Sequence, residues 1–138
     1  MSRGADTARA VAFWLDKADT ALASARSEHA AGRFDFAVNR AYYAAFFAAS
    51  AALLHRGRRF AKHAGLRAAL HRELVKSGTI NAEWGRAFDR LFESRQRADY
   101  LEFVGFEAGE VGSRLRTPSA SSVRCGGWSK EPDPQYPN

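Results

Sequence analysis

The sequence predicts an all-α protein, and three observations lead to that fold class. Apolar residues recur at three- and four-residue spacing through most of the chain before Leu101, which is the period of a helix face. No segment of useful length alternates apolar and polar residues as a half-buried strand does. Short glycine-containing segments separate the helical stretches. We therefore expect four helices, followed by a weaker fifth.

The first two helices are predicted on either side of Gly32, a natural helix stop. The first runs from about Thr7 to Ala30, and its apolar face is formed by Val11, Leu15, Ala18, Leu22 and Ala25. The second runs from about Asp35 to His55. It is apolar nearly all round, which marks it as the central and most buried helix.

The remaining helices are expected after the basic break at residues 56–59. One runs from about Lys62 to Lys76, and another from Asn81, a good N-cap, to Tyr100. Leu101 to Arg116 is a weak fifth candidate, because each of its glycines costs about 1 kcal/mol relative to alanine in a helix interior.

The chain is expected to form one domain over residues 5–116. Beyond Thr117 all four prolines of the protein appear, together with serines and glycines. Residues 117–138 are therefore predicted to be a disordered tail, since they cannot bury enough apolar surface to offset their ordering entropy.

Composition limits the classes of function. The net charge of +6, carried mostly by arginine, is compatible with an anionic partner and equally with solvated helix faces in an arginine-rich chain. Cys125 is the single cysteine, which excludes an intramolecular disulfide and fits a reducing cytoplasm. No apolar run approaches the roughly 20 residues of a membrane span. Neither metal-ligand spacing nor a phosphate-binding loop is present, so no cofactor is expected.

Two arginines on apolar stripes are the first candidate functional residues. On the second helix, Arg40 shares a helix line with Phe36, Tyr43 and Phe47. On the fourth, Arg95 continues the stripe of Trp84, Phe88, Leu91 and Phe92. An unpaired buried charge costs on the order of several kcal/mol. We therefore expect Arg40 and Arg95 to face a polar pocket or a paired interface.

Two further polar residues accompany the arginines. His63 is in phase with the leucines of the third helix, so three helices each direct a polar group inward. These groups form either a shared functional site or a purely structural network. Asp99 follows Arg95 by four residues, which allows an ordinary intrahelical ion pair or a carboxylate that orients the guanidinium.

Three segments, in the right order, resemble the HEPN domain family. Residues 39–49 resemble its central-helix signature and residues 62–78 its middle segment. Residues 91–100, in which an Arg-Gln pair leads to Ala-Asp-Tyr, resemble its late signature. The resemblance covers about Thr7 to Phe106. It implies an up-and-down bundle of four or five helices, usually a homodimer, from prokaryotic toxin–antitoxin and defence loci, with a small nucleotidyltransferase encoded nearby or fused as the typical partner.

The sequence departs from the family pattern in two places. In the toxin branches, an arginine and a histidine four to six residues apart cleave RNA without metal, but no histidine follows Arg95 at that spacing. Tyr100 is a poor base at neutral pH, since an ordinary tyrosine has a pKa of about 10, and His63 is an imidazole on another helix. The long last helix of the family also gives way to a glycine-, serine- and proline-rich end. We expect a truncated last helix that leaves apolar surface uncovered.

Three hypotheses of function remain. The first is a cytoplasmic HEPN-type module of a toxin–antitoxin or defence system, which partners a nucleotidyltransferase and binds a nucleotide or RNA phosphate through Arg40, Tyr43, His63, Arg95 and Asp99. The second is a metal-independent endoribonuclease toxin that acts through Arg95 with His63 or Tyr100. The third is a remnant whose polar pocket is only structural.

Overall fold

The computed structural model describes residues 3–101, 105–106 and 109–111, and within them the protein is all-α without strands, as the sequence predicts. The chain forms a bundle of helices joined by short connections. The helices are α1 (Arg3–Ala30), α2 (Phe34–His55), α3 (His63–Ala69), which continues into a π-helical segment (Leu70–Val75), and α4 (Ala82–Tyr100). None of these helices is long and apolar enough to cross a membrane.

Helix α2 is the central element, and it packs against α1 on one side and α4 on the other. Twelve of its 22 residues are buried, which confirms the prediction that the helix with apolar residues on nearly all sides lies in the core. Many of these buried residues are alanines, so the neighbouring helices approach α2 closely. The larger side chains at the centre of the core are Val38, Tyr42, Leu53, Leu66, Leu70, Leu74, Phe88 and Leu91.

The helix ends follow the local sequence signals. Gly32 and Gly57 each adopt a φ of 79°, a left-handed conformation that favours glycine, and each follows the end of a helix. Asn81 is the N-cap of α4, as predicted, and its side chain accepts a hydrogen bond of 3.1 Å from the backbone N–H of Trp84.

The chain after α4 contributes to the core. Leu101 is extended, so α4 ends before it, and Phe106 and Val111 are buried in the hydrophobic cluster. The segment after α4 thus supplies apolar side chains to the core at these two positions. Most of the predicted fifth helix and the whole predicted tail, residues 117–138, lie outside the described residues.

A close contact joins α4 to the π-helical segment at Gly85. A Cβ atom at this position would lie 2.9 Å from Val75 Cγ2 and 3.1 Å from His71 Cε1. Glycine is therefore required for the two elements to pack at their present separation.

We predict that Gly85→Ala lowers the free energy of unfolding by about 1–3 kcal/mol, because the added methyl group overpacks the contact with Val75. Gly65→Ala is the matched control: its Cβ would meet only Phe60 Cδ1, at an ordinary 3.5 Å. The control should leave stability unchanged or raise it by up to about 1 kcal/mol. Urea unfolding followed by circular dichroism measures both, and equal effects of the two variants would contradict the prediction.

Candidate functional site

Arg95 is the centre of a cluster of polar and aromatic side chains near the end of α4. Its side chain is 12% exposed, and its Nε lies 2.9 Å from Asp99 Oδ2 in an ion pair that lacks the alignment of a hydrogen bond. Its Nη2 donates to the hydroxyl of Tyr43 at 3.3 Å and to that of Tyr100 at 3.4 Å. Its Nη1 has no hydrogen-bond partner among the described residues, so this donor remains available to a ligand.

Three tyrosine rings surround the guanidinium. Its Cζ lies 5.5 Å from the ring centre of Tyr42, 5.7 Å from that of Tyr43 and 5.3 Å from that of Tyr100. The electron-rich faces of these rings stabilise a cation that is partly removed from water. Burial lowers the pKa of Arg95, but the nearby Tyr43, Tyr100 and Asp99 outweigh burial and raise that pKa above its usual value. The guanidinium therefore stays charged.

His63, at the start of α3, forms a hydrogen bond with Tyr42. The Tyr42 hydroxyl lies 2.6 Å from His63 Nδ1, and burial raises the pKa of Tyr42, so the hydroxyl keeps its proton. Burial and the charge of Arg95 lower the pKa of His63, so the imidazole is neutral at neutral pH. Either residue can be the donor of this hydrogen bond. With Tyr42 as the donor to Nδ1, the imidazole proton is on Nε2, where no described residue bonds to it.

Arg95 on α4 and His63 on α3 contact the same two rings, those of Tyr42 and Tyr43. The His63 ring centre is 5.6 Å from that of Tyr42 and 5.9 Å from that of Tyr43, and both tyrosines also contact the Arg95 guanidinium. The structure thus brings together five residues that the sequence singled out, from α2, α3 and α4: Tyr43, His63, Arg95, Asp99 and Tyr100.

Arg40 is outside this cluster, and the prediction that it faces inward is wrong. Arg40 is exposed, and Phe36 on the same helix line is 56% exposed. The buried residues in the first turns of α2 are Ala37, Val38 and Ala41, so the packed face is rotated away from the Phe36–Arg40 line. Because α2 is apolar nearly all round, its sequence pattern does not define which face is packed.

Arg40 nevertheless connects to the site through Asn39. The Arg40 Nη1 donates to Asn39 Oδ1 at 2.6 Å, and Asn39 Nδ2 donates to Asp99 Oδ2 at 3.1 Å. Asp99 therefore forms the intrahelical ion pair with Arg95 and also links α4 to α2. The sequence analysis missed this role of Asn39, although asparagine is a poor helix former in the middle of an apolar helix and that is a usable signal.

No metal site is found in the part of the chain that the structure describes, because no group of three or more histidine, cysteine, aspartate or glutamate side chains is suitably placed there. The Arg95 cluster itself offers one enclosed guanidinium beside one neutral imidazole, and a fixed guanidinium suits an anion.

The fold and the cluster define a class of protein: an all-helical module with one enclosed, charged arginine near a neutral histidine. The chain belongs to the HEPN domain family, which it matches over residues 11–117. It is 42% identical over 106 residues to a "UPF0332 protein" of Thermotoga maritima, covering 77% of this chain and 80% of the relative. It is 29% identical over 86 residues to a Methanocaldococcus jannaschii protein named "Putative toxin MJ0142", covering 62% of this chain and 58% of that relative. The family resemblance of the three sequence segments is thus confirmed.

We predict that folding stability falls as the pH drops below about 6.5, in part because the pKa of His63 is lower in the folded protein than in the unfolded chain. The contribution of His63 is fully present above that pH. Below it, the unfolded chain binds the proton more readily, and the contribution is lost as the pH falls through the folded pKa. Urea unfolding of the wild type and of His63→Gln at about pH 7.5, 6 and 5 measures the effect.

The comparison isolates His63, because the two proteins are identical at every other position. The variant should lose less stability than the wild type over this pH range. An identical pH dependence in the two proteins would show that burial and Arg95 do not lower the His63 pKa.

Proposed function

We propose that this HEPN module binds the phosphate of a nucleotide or of RNA at Arg95, as part of a prokaryotic toxin–antitoxin or defence system. One observation carries the proposal: Arg95 is nearly buried and held by Asp99, Tyr43 and Tyr100, yet its Nη1 has no described partner. A guanidinium fixed in this way forms stronger and better directed hydrogen bonds to phosphate than a mobile surface arginine.

The neighbouring residues support an anionic ligand. Asp99 is engaged by Arg95 Nε and by Asn39, so its negative charge is offset within the site. With Tyr42 as the donor to Nδ1, the neutral His63 adds a donor at Nε2, and the exposed Arg40 adds a positive charge that is linked to Asp99 through Asn39. The chain as a whole carries a net charge of +6, which favours the approach of an anion.

A partner and an assembly form part of the same proposal. Among the residues that the structure describes, four large apolar side chains are exposed, namely Phe13, Phe36, Tyr100 and Leu101. A homodimer or a bound nucleotidyltransferase would cover such residues. The family membership and the toxin-named relative support a role beside a small nucleotidyltransferase in the cytoplasm. Analytical ultracentrifugation tests the homodimer, and co-purification with the protein encoded by the adjacent gene tests the partner.

The alternative is a metal-independent endoribonuclease that acts through Arg95 with His63 or Tyr100. The observation in its favour is that His63 and Arg95 contact the same two tyrosine rings, so an imidazole is close to the guanidinium. With Tyr42 as the donor to Nδ1, the neutral imidazole has no free lone pair with which to accept a proton, and this tautomer opposes cleavage. Binding is therefore better supported than cleavage.

We predict that Arg95→Gln weakens the binding of a mononucleotide or a short RNA roughly ten- to a hundredfold, which corresponds to the loss of a charged hydrogen bond to phosphate. Arg86→Gln is the matched control, because Arg86 is on the same helix but exposed and paired with Glu83. Isothermal titration calorimetry measures the affinities. Equal affinities of the two variants would exclude Arg95 as the phosphate ligand.

A cleavage assay separates the two functions. Purified protein is incubated with total RNA in EDTA, with Arg95→Gln and His63→Gln as comparisons. We expect no cleavage by any of the three proteins. Cleavage by the wild type that both variants lose would favour the endoribonuclease.

A further inference from the structure

A second polar cluster lies between α3 and α4, outside the site described above. Arg67 Nε donates to Asp89 Oδ1 at 2.8 Å, and His71 Nε2 lies 3.0 Å from the same oxygen. Burial raises the pKa of Asp89, but the hydrogen bonds from His71 and Arg67 outweigh burial and lower that pKa below its usual value. The carboxylate therefore stays ionised and is held in one position by two donors.

The Arg67 guanidinium is held from two sides. Its Cζ lies 4.5 Å from the ring centre of Phe92, and its Nε is fixed by Asp89. Its two Nη groups have no hydrogen-bond partner among the described residues, and neither has Asp89 Oδ2. Unused donors and an unused acceptor are thus positioned next to each other.

These groups face an open groove of about 460 Å³, which is lined by Ala64, Arg67, Ala68, His71 and Asp89. The charges of Arg67 and Asp89 offset each other, so the groove offers both donors and acceptors without a strong net charge. Such a lining suits a neutral polar group better than a phosphate.

The groove is close to the Arg95 cluster. His63 and Arg67 are four residues apart on α3, which places them on one face at about 6 Å along the helix axis. The Phe92 ring beneath Arg67 is 6.0 Å from the Tyr42 ring, which in turn contacts Arg95. The Arg67 and Arg95 guanidinium groups thus contact neighbouring rings of one aromatic cluster, and a nucleotide bound at both would extend across Tyr42 and Phe92.

We propose that the Arg67–Asp89 groove is a nucleobase subsite, which binds the base of the nucleotide whose phosphate is held by Arg95. This inference rests on the proposed function. The base lies roughly in the plane of the Arg67 guanidinium, and its edge bonds to Asp89 Oδ2 and to the Nη groups of Arg67.

Guanine is the base that matches this lining. Its Watson–Crick edge has N–H donors beside the O6 acceptor, so the carboxylate of Asp89 accepts from the donors while Arg67 donates to O6. Adenine has an acceptor ring nitrogen where guanine has the N1–H donor. The carboxylate of Asp89 would then face another acceptor and repel it. The subsite therefore binds guanine more tightly than adenine.

The test compares GMP, AMP and ribose 5-phosphate by isothermal titration calorimetry. The wild type should bind GMP at least about tenfold more tightly than either of the other two, because a well-paired base edge gives that order of discrimination. Asp89→Asn should remove most of this preference while the affinity for ribose 5-phosphate stays the same. Arg67→Lys keeps the charge but loses the planar fork, and it should also reduce the preference.

Glu93→Gln is the control, because it changes an exposed carboxylate to an amide one helical turn further along α4. It should bind all three compounds like the wild type, and thermal unfolding checks that each variant is folded. Equal affinities of the wild type for GMP and ribose 5-phosphate, with both lost in Arg95→Gln, would overturn the nucleobase subsite but not phosphate binding. No binding of any compound by the wild type would overturn both proposals.

Discussion

The enclosure of the Arg95 guanidinium is the constraint on which the rest of the site depends. A charge that is largely removed from water is tolerated only where ion pairs, hydrogen bonds and aromatic faces replace its hydration. Here Asp99 comes from the same helix, and Tyr42 and Tyr43 come from α2. The same contacts between α4 and α2 therefore pack the helices and stabilise the charge. Asn39 on α2 adds a hydrogen bond to Asp99 on α4.

The same charge influences the protonation of His63. Burial and the nearby cation both disfavour the protonated imidazole, and the Tyr42 hydroxyl lies 2.6 Å from Nδ1. With Tyr42 as the donor of this hydrogen bond, the proton of the neutral imidazole is on Nε2. The site then contains donors from two helices and no free imidazole lone pair, which is the composition of an anion receptor and not that of a proton-transfer pair. A ligand that carried two negative charges would raise the pKa of the imidazole and so favour its protonated form.

Much of the fold and part of the site could be predicted from the sequence. The spacing of the apolar residues and the glycines between the helical stretches predict the four helices. The sequence also predicts that Arg95 faces inward, because the stripe from Trp84 to Phe92 defines one face of α4. Arg40 was misplaced because α2 has apolar residues on nearly every side, so no face is distinguished. The cluster of Arg67, His71 and Asp89 was missed because its contacts join residues 18 and 22 positions apart, which no local pattern encodes.

The missed cluster shows how a packing detail controls a candidate site. His71 lies in the π-helical segment, and the absence of a side chain at Gly85 lets that segment approach α4 closely enough for His71 to reach Asp89. Segments of π-helix occur often at functional sites, since the wider turn redirects side chains that an α-helix would point elsewhere. In this protein His63 and Arg67 share one face of α3, and His71 follows in the π-helical segment. One short element thereby connects the Arg95 cluster to the groove at Asp89.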